Sequence, residues 1–338
     1  MISSLSRDEL YFRHQLSHEQ IDDILGENLA AGLPGAKAQH LHKLNTFLEI
    51  SDLFFREGIP FIPQKGPVLS FRIYCDPLVR IYTDLDFLVD AERIPVAFRV
   101  LSHLGFRSTS YVFPGDECRQ KLLMQHVNEL YLWNPDLETG IELHWKLFNG
   151  FTAGRRGLTK VIQDNTITLK FGGRDFTVLN PELELLYLVI HASLHGWNRL
   201  KWLVDVRELL RKFDIDGMKF ASLVQQFRAQ NPVATCNELL KEYFPGTKLL
   251  PSVSRAPAGM VRFALRQIRK PDGQKDMREF LGFFVNSWRA FPGIRYKVDL
   301  LKSNLFATDL ASVPRMPCSA LAFYLVSPFW KMSRGFRG

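Results

Sequence analysis

The sequence has few cysteines, and no two of them are closely spaced. Its 338 residues include four, Cys75, Cys118, Cys236 and Cys318. Zinc knuckles and small disulfide-bonded domains need several cysteines at short spacings. Neither kind of framework is therefore indicated, and the simplest expectation is a reducing compartment with free thiols.

Long apolar runs are also missing. The N-terminal stretch MISSLSRDELYFRHQ contains no apolar segment of the kind found in a secretory signal. The longest apolar run, around residues 320–326, lies between Pro317 and Pro328. It is much shorter than the roughly 20 residues that cross a bilayer. We therefore expect a cytoplasmic protein with no integral membrane segment.

The charged residues form no tail or block of one sign. The net charge is +8, and the basic residues are spread along the chain. A basic balance favours anionic partners such as nucleotides and phosphates, but this distribution is more typical of a mildly basic surface than of a nucleic-acid footprint. Hydrophobic residues make up 46% and charged residues 23%, which is ordinary for a soluble globular protein. The length allows two domains.

The order of predicted elements divides the chain into three parts. We expect an N-terminal helical segment over residues 1–58, an α/β core over 59–180, and a C-terminal helical domain over 181–338. Within the core, a pair of strands is predicted in VNELYLWNPDLETGIELHWKLF and a hairpin over Gly172–Gly173. Asn180 and Pro181 are typical of a helix start. The fold class expected is α+β.

The segment RIYTDLDFLVD, residues 80–90, is predicted to be a strand with two acids on one face. Residues two apart in a strand point to the same side, so Asp84 and Asp86 would be neighbours, with Arg80 and Tyr82 beside them in a regular strand. Two ionised carboxylates this close repel unless a cation lies between them. A hard divalent cation prefers such oxygens. If the pair stood alone, a solvated strand end would be the better explanation of it.

Two further features of the sequence favour a functional role for Asp84 and Asp86. In QKGPVLSF, Gly66 and Pro67 predict a strand ending at a glycine and a helix starting directly after it, and a helix N-terminus attracts anions. Lys65 adds a positive charge there. In GIELHWKLF, alternation predicts a strand with Glu142 and His144 on its polar face. Three acids and a phosphate-binding turn together favour a two-metal phosphoryl-transfer site.

A pair of histidines lies four residues apart on a predicted helix. His191 and His195 would share one face of it. The intervening residues read HASLH, so the glutamate of the zinc-protease motif is absent. These histidines are expected either to pack structurally or to line the acceptor or nucleotide cleft.

The stretch QKGPVLSFRIYCDPLVRIYTDLDFLVD resembles the signature of the DNA polymerase β-type nucleotidyltransferase superfamily. That signature is a strand, a glycine turn, a short helix and an acidic strand with Asp-x-Asp. Four narrower features resemble a bacterial family of largely uncharacterised nucleotidyltransferases. They are Lys-Gly in place of Gly-Ser, an arginine four residues before the first aspartate, IELHW, and HASLHGW with WLVDV. The likeness covers roughly residues 45 to 210.

The resemblance implies a polymerase β-like core that transfers a nucleoside monophosphate from a nucleoside triphosphate such as ATP to a hydroxyl, with Mg²⁺ or Mn²⁺ as cofactor. The catalytic and metal-binding residues it implies are Asp84, Asp86 and Glu142. The nucleotide-binding residues would be Lys65, Gly66, Arg80 and His144. The sequence departs from the superfamily at Pro67, which stands where a serine commonly touches the triphosphate.

Two other functions fit the residues. One is a non-catalytic nucleotide-binding or accessory module on the same fold. The other is a glycosyltransferase whose Asp-x-Asp holds a metal-bound nucleotide sugar, although such motifs normally follow a larger nucleotide-binding half. The acceptor is not identified by the sequence, and a small molecule, a sugar or a protein hydroxyl is expected before a nucleic acid.

Overall fold

The computed structural model describes residues 2, 5–27, 29, 34–148, 160–252, 254–270, 277–310 and 313–335. The chain forms two compact units, each made of three chain segments. The helical unit consists of Met1–Asn45, Lys65–Tyr82 and Phe151–Lys297. The sheet unit consists of Thr46–Gln64, Thr83–Gly150 and Val298–Gly338.

The strands are short and the helices numerous. The strands are β1 Phe61–Gln64, β2 Asp84–Val89, β3 Arg107–Ser108, β4 Glu129–Asn134, β5 Thr139–His144, β6 Thr166–Phe171 and β7 Arg174–Leu179. The helices are α1 His18–Leu25, α2 Pro34–Arg56, α3 Gly66–Tyr74, α4 Ile94–His103, α5 Glu117–His126, α6 Pro181–Leu194, α7 Leu200–Lys212, α8 Gly217–Gln226, α9 Gln230–Tyr243, α10 Ala258–Arg269, α11 Met277–Ala290, α12 Ile294–Leu310 and α13 Ala320–Gly335. A π-helical turn covers Glu9–Arg13 and a 3₁₀ turn Val313–Arg315.

A five-stranded mixed sheet forms the centre of the sheet unit. Its strand order is β1-β2-β5-β4-β3. The central pair β2 and β5 is parallel, and the other pairs are antiparallel. Because β2 and β5 are central, most of their residues are buried. This parallel pair brings two distant polar segments of the chain side by side.

One face of this sheet is a hydrophobic core rich in phenylalanine. The ring of Phe87 on β2 lies 5.4 Å from that of Phe47 and 5.5 Å from those of Phe54 and Phe61, centre to centre. Phe87 is fully buried, and a phenylalanine in such a position contributes about 1.5–3 kcal/mol through burial. The alternation in the sequence predicts this face, since the residues on either side of Phe87 point away from the core.

The helical unit is built around α6. Its leucines and other apolar residues are buried on nearly every side, as expected for a central helix. Asn180 caps the helix by accepting a hydrogen bond from the amide of Leu183 at 2.9 Å, so the predicted helix start is confirmed. Just before it, β6 and β7 pair as the predicted hairpin. Gly172 and Gly173 both have positive φ, +55° and +75°, as a tight hairpin turn requires.

The mixed α+β architecture with a small sheet and many helices agrees with the predicted fold class. One local expectation was wrong, because the acidic strand begins at Asp84 and not at Arg80. The helix α5 was not predicted. The three-part division at residues 58 and 180 stays a prediction. Within the described ranges, no helix is both long and apolar enough to cross a bilayer.

Candidate functional site

Two acids and a histidine converge on the polar face of the sheet. Asp86 on β2 and Glu142 on β5 are register partners in the parallel pair, so their side chains emerge side by side. His144 follows two residues after Glu142 and therefore points the same way. One ligand-type atom from each of Asp86, Glu142 and His144 lies within 4.8 Å of the other two. We call these three residues the acid–histidine cluster.

The imidazole of His144 is surrounded by carboxylates. Its Nε2 lies 3.3 Å from Oδ1 of Asp86 and 3.2 Å from Oε2 of Glu142. Its Nδ1 lies 3.1 Å from Oε2 of Glu129. Burial alone would lower the pKa of His144, but the neighbouring carboxylates of Asp86, Glu129 and Glu142 outweigh burial and raise that pKa well above the usual value. The arrangement gathers three carboxylates around one buried imidazole.

Asp84 stands at the edge of this arrangement. It is half-buried at the start of β2, and its Oδ1 accepts a hydrogen bond from the Thr83 hydroxyl at 3.3 Å. It lies on the same strand face as Asp86, as the sequence predicts, but outside the acid–histidine cluster. Its register partner on β5 is Gly140, which has no side chain. Because Gly140 leaves the space beside Asp84 open, a side chain from another strand can fill it.

Tyr131 on β4 occupies that space. A Cβ on Gly140 would lie 2.8 Å from Cζ of Tyr131, so the tyrosine ring crosses directly over the glycine. Burial, and then the charges of Asp84 and Glu142, raise the pKa of the Tyr131 hydroxyl. The phenol therefore stays protonated and can donate a hydrogen bond at this edge of the cluster.

Sequence reasoning missed Glu129 and Tyr131. The signal was available, because the antiparallel hairpin of β4 and β5 pairs Glu129 with His144 and Tyr131 with Glu142. The strands themselves are predicted by alternation. Counting back from their connecting loop gives the register that places both residues on the polar face.

Gln64 is a third residue that the sequence did not single out. It ends β1, pairs with Asp86 across the antiparallel β1–β2 ladder, and is 3% exposed. Opposed residues of a ladder share a face, so its carboxamide lies on the side of the acids. Neither Nε2 nor Oε1 of Gln64 has a hydrogen-bond partner among the described residues. A buried amide left in this state costs about 1–3 kcal/mol, and a ligand at the site could supply the missing partners.

Lys65 and Gly66 follow Gln64 in the chain and belong to the helical unit. Gly66 begins α3, and Pro67 lies in its first turn, as predicted. The backbone of Lys65 has φ +49° and ψ −132°, a conformation that only glycine adopts readily. A non-glycine residue held there costs about 1–3 kcal/mol, and such strain is concentrated at functional sites. Lys65 is buried, at 7% exposure.

Arg80, predicted to bind nucleotide, forms a buried ion pair in the helical unit. Its Nε donates to both carboxylate oxygens of Asp205, at 2.9 and 3.0 Å. The backbone amide of Arg80 donates to the Ser70 hydroxyl at 3.0 Å. These contacts fix residue 80 in a turn, so it does not extend β2 or share a strand face with Asp84. The expectation that they lie on one strand was therefore wrong.

The rings of His191 and His195 lie close together and tilted to each other near the end of α6, also in the helical unit. Their ring centres are 4.5 Å apart, and the ring of Trp202 on α7 lies 5.5 Å from His191 and 5.3 Å from His195. Trp202 is buried, His191 is half-buried and His195 is exposed. The predicted shared face of the two histidines is present, and their role in a cleft stays a prediction.

The acid–histidine cluster has the chemistry of a divalent-cation site. Two carboxylates supply hard oxygen ligands suited to Mg²⁺, and an imidazole nitrogen also suits Mn²⁺ or Zn²⁺. Nearby Gln64 offers an unpartnered carbonyl oxygen. The residues present therefore fit a divalent ion, and the identity of that ion is not fixed by them.

Comparison with known protein families identifies the family to which the chain belongs. The profile of a protein family described as "Uncharacterised nucleotidyltransferase" matches residues 10–245. The chain belongs to this family. The matched range contains every residue of the acid–histidine cluster and all of β1 to β7.

Comparisons with curated proteins and with solved structures add little information about the chain. No curated protein matches the chain. Among solved structures, an antigenic nucleotidyltransferase-like protein from Paracoccidioides brasiliensis is similar over 62% of this chain and 94% of its own, at 14% identity and a TM-score of 0.34. A likeness of this size supports no inference about the function of this nucleotidyltransferase-family chain.

Proposed function

We propose that the protein is a Mg²⁺-dependent nucleotidyltransferase that moves a nucleoside monophosphate from a nucleoside triphosphate to an acceptor hydroxyl. The observation that carries this proposal is the pairing of Asp86 with Glu142 across two parallel strands, with His144 between them. Membership of a nucleotidyltransferase family supports the same chemistry. The core would then be the polymerase β-like core that the sequence resembles.

In this proposal Asp86 and Glu142 hold the divalent cation, with Asp84 as a further carboxylate on the same face. When bound, divalent cations in such a site neutralise phosphate charge and orient the attacking and leaving oxygens. His144 keeps the two carboxylates aligned through its hydrogen bonds, and Glu129 fixes the imidazole from its other side. These contacts preorganise the acids before any ligand arrives.

Glu142 is the acid best placed to receive a proton from the acceptor. Its side chain is 22% exposed, whereas that of Asp86 is 2% exposed. An acceptor hydroxyl approaching from solvent therefore reaches Glu142 first. We propose that Glu142 takes the hydroxyl proton as the acceptor oxygen attacks the α-phosphorus, while pyrophosphate leaves.

Lys65, Gly66 and Arg80 would serve the triphosphate. The strained turn at Lys65 and the N-terminus of α3 are proposed to bind the triphosphate. Pro67 offers neither a hydroxyl nor an amide proton, so Lys65 is proposed to replace the usual serine contact with charge. Arg80, held by Asp205, is assigned to positioning this turn through its amide contact with Ser70 on α3.

The first prediction tests this proposal with Asp86→Asn. The substitution keeps the side-chain shape but removes the charge, so we expect transfer from Mg-NTP to fall by about 10²-fold or more. Each of the four nucleoside triphosphates, labelled on the α-phosphate, would be incubated with cell extract and the purified protein, and labelled products identified by mass spectrometry. Calorimetry of Mg-NTP binding would accompany it.

Asp175→Asn is the matched control, because Asp175 is an exposed aspartate on β7 and should leave transfer unchanged. If the Asp86→Asn variant forms labelled product at the wild-type rate, the proposed site is refuted. Tight Mg-NTP binding without transfer to any acceptor would favour the non-catalytic module. Hydrolysis of nucleotide sugars without triphosphate turnover would favour a glycosyltransferase.

A further inference from the structure

Two exposed cysteines that are 200 residues apart in the sequence meet in the sheet unit. The Sγ–H of Cys118 donates to the carbonyl oxygen of Cys318 at 3.0 Å. Both side chains are exposed, and neither has a part in the proposed transfer reaction. The spacing explains why the sequence alone suggests no disulfide.

Neighbouring contacts hold the two cysteines together. Cys118 lies in the first turn of α5, whose N-terminus is capped by Asp116, which accepts from the amide of Arg119 at 2.9 Å. The Nε of Arg119 donates to the carbonyl oxygen of Met316 at 2.9 Å, and Met316 is buried. The segment 316–318 is thus attached to α5 at Met316 and at Cys318 itself, so little ordering remains for a covalent bond to impose.

The pair is also accessible to small reagents. A surface cavity of about 370 Å³ is lined by Glu117, Cys118, Lys121, Leu122, Gln125, Cys318, Ser319 and Ala320. The contact with Cys318, and then burial, raise the pKa of the Cys118 thiol. We therefore expect its oxidation to accelerate with pH above neutrality.

We propose that Cys118 and Cys318 are a modification site at which hydrogen peroxide forms a reversible intramolecular disulfide. Peroxide first oxidises one thiol to a sulfenic acid and releases one water molecule. The second thiol sulfur then attacks the sulfenic sulfur, an S–S bond forms, the S–O bond breaks and a second water leaves. Two thiols are oxidised, and one peroxide is reduced to two waters.

The bond would fasten the C-terminal helix to α5. Cys318 stands directly before α13, whose Tyr324 hydroxyl lies 2.6 Å from Nε2 of His126 at the end of α5. The ring of Phe323 is 5.5 Å from the His126 ring. A disulfide at the other end of α5 adds a covalent attachment to these contacts, and local opening of α13 becomes less frequent.

The test uses a Cys75→Ser background, because Cys75 is exposed and Cys236 is buried. After peroxide treatment and alkylation of the native protein, we expect an intact mass lower by two hydrogens, with no alkylated cysteine. A disulfide-linked peptide pair should contain Cys118 and Cys318 and disappear with dithiothreitol. Hydrogen exchange in α13 should be slower in the oxidised protein.

Cys118→Ser in the same background is the control, and it should give neither the linked peptide nor the slower exchange. Three results would overturn the proposal: an unchanged mass with both cysteines alkylated, sulfinic or sulfonic acids without the link, or disulfide-linked dimers in place of the intramolecular bond.

Discussion

At the scale of single residues, burial of the Gln64 side chain lowers the stability of the folded protein. Its carboxamide is buried on the acidic face, and both polar atoms are without hydrogen bonds in the described part of the chain. Stability alone would favour an apolar side chain of the same shape, because buried polar groups without partners are destabilising. A ligand that supplies hydrogen bonds offsets the cost, which makes Gln64 a residue to test in binding.

Gln64→Met is therefore expected to change stability and binding in opposite directions. Removing the unpartnered amide should raise the free energy of unfolding by about 1 kcal/mol. It should also weaken Mg-NTP binding, by about tenfold for one lost hydrogen bond. Denaturant unfolding and calorimetry measure the two effects.

Gln225→Met is the control for that prediction, since Gln225 is exposed on α8 and should change neither quantity appreciably. A Gln64→Met protein that loses stability and keeps its affinity would show that the amide serves the fold and not a ligand.

At the scale of elements, the β4–β5 hairpin is shaped by one missing side chain. The ring of Tyr131 on β4 lies against Gly140 on β5, where a Cβ would collide with it. Glycine in a strand interior commonly marks such a close approach. The ring thereby reaches the edge of the acid–histidine cluster.

Gly140→Ala should displace the Tyr131 ring and destabilise the hairpin. Overpacking of this kind costs about 1–3 kcal/mol, measurable by denaturant unfolding. In a Tyr131→Ala background, the loss that Gly140→Ala causes should be much smaller, because the colliding ring is gone.

Gly115→Ala serves as the comparison, because a Cβ there meets nothing within 4 Å; its effect should stay within about 0.5 kcal/mol. Equal losses for Gly140→Ala with and without Tyr131 would contradict the packing explanation.

Elements whose pattern is local were predictable, and those fixed by distant contacts were not. The strand β4 alternates between half-buried and buried residues, and α6 has a clear cap at Asn180. In α5, by contrast, Leu122, Leu123 and Met124 are buried in succession, so no helical period appears in the sequence. Arg80 looks like part of a strand because its partner, Asp205, lies 125 residues further on.

The same distinction applies to the candidate site. The acids Asp86 and Glu142 could be proposed from their own strands, and their pairing followed from the resemblance. Glu129 and Tyr131 required the hairpin register, and the unpartnered state of Gln64 required coordinates, since satisfaction of a buried amide depends on everything around it.

At the scale of the whole molecule, stability should depend on pH through His14. The amide of Leu200 on α7 donates to Nδ1 of His14 at 3.1 Å, and the ring is fully buried. Burial, and then the charge of Arg13, lower the pKa of His14 to about 3. The unfolded chain takes up a proton near the ordinary value of about 6.5. The free energy of unfolding is therefore reduced progressively as pH falls from about 6.5 towards 3.

His14→Asn keeps a hydrogen-bond acceptor for Leu200 but cannot take up the proton. Between pH 7 and pH 5 the wild type should lose about 2 kcal/mol more unfolding free energy than the variant. Urea titrations at both pH values measure this difference. His103→Asn, at an exposed position on α4, should follow the wild type. Parallel pH profiles for wild type and His14→Asn would contradict the assignment.

The central claim is that the carboxylates of Asp86 and Glu142 jointly bind a divalent cation next to a nucleotide. Crystals grown with Mn²⁺ and a non-hydrolysable nucleoside triphosphate analogue, measured at the manganese absorption edge, test it most directly. We predict an anomalous peak in contact with both carboxylates, and its loss in Glu142→Gln crystals. Manganese bound to the nucleotide elsewhere, with His144 still joined to both acids, would contradict the claim.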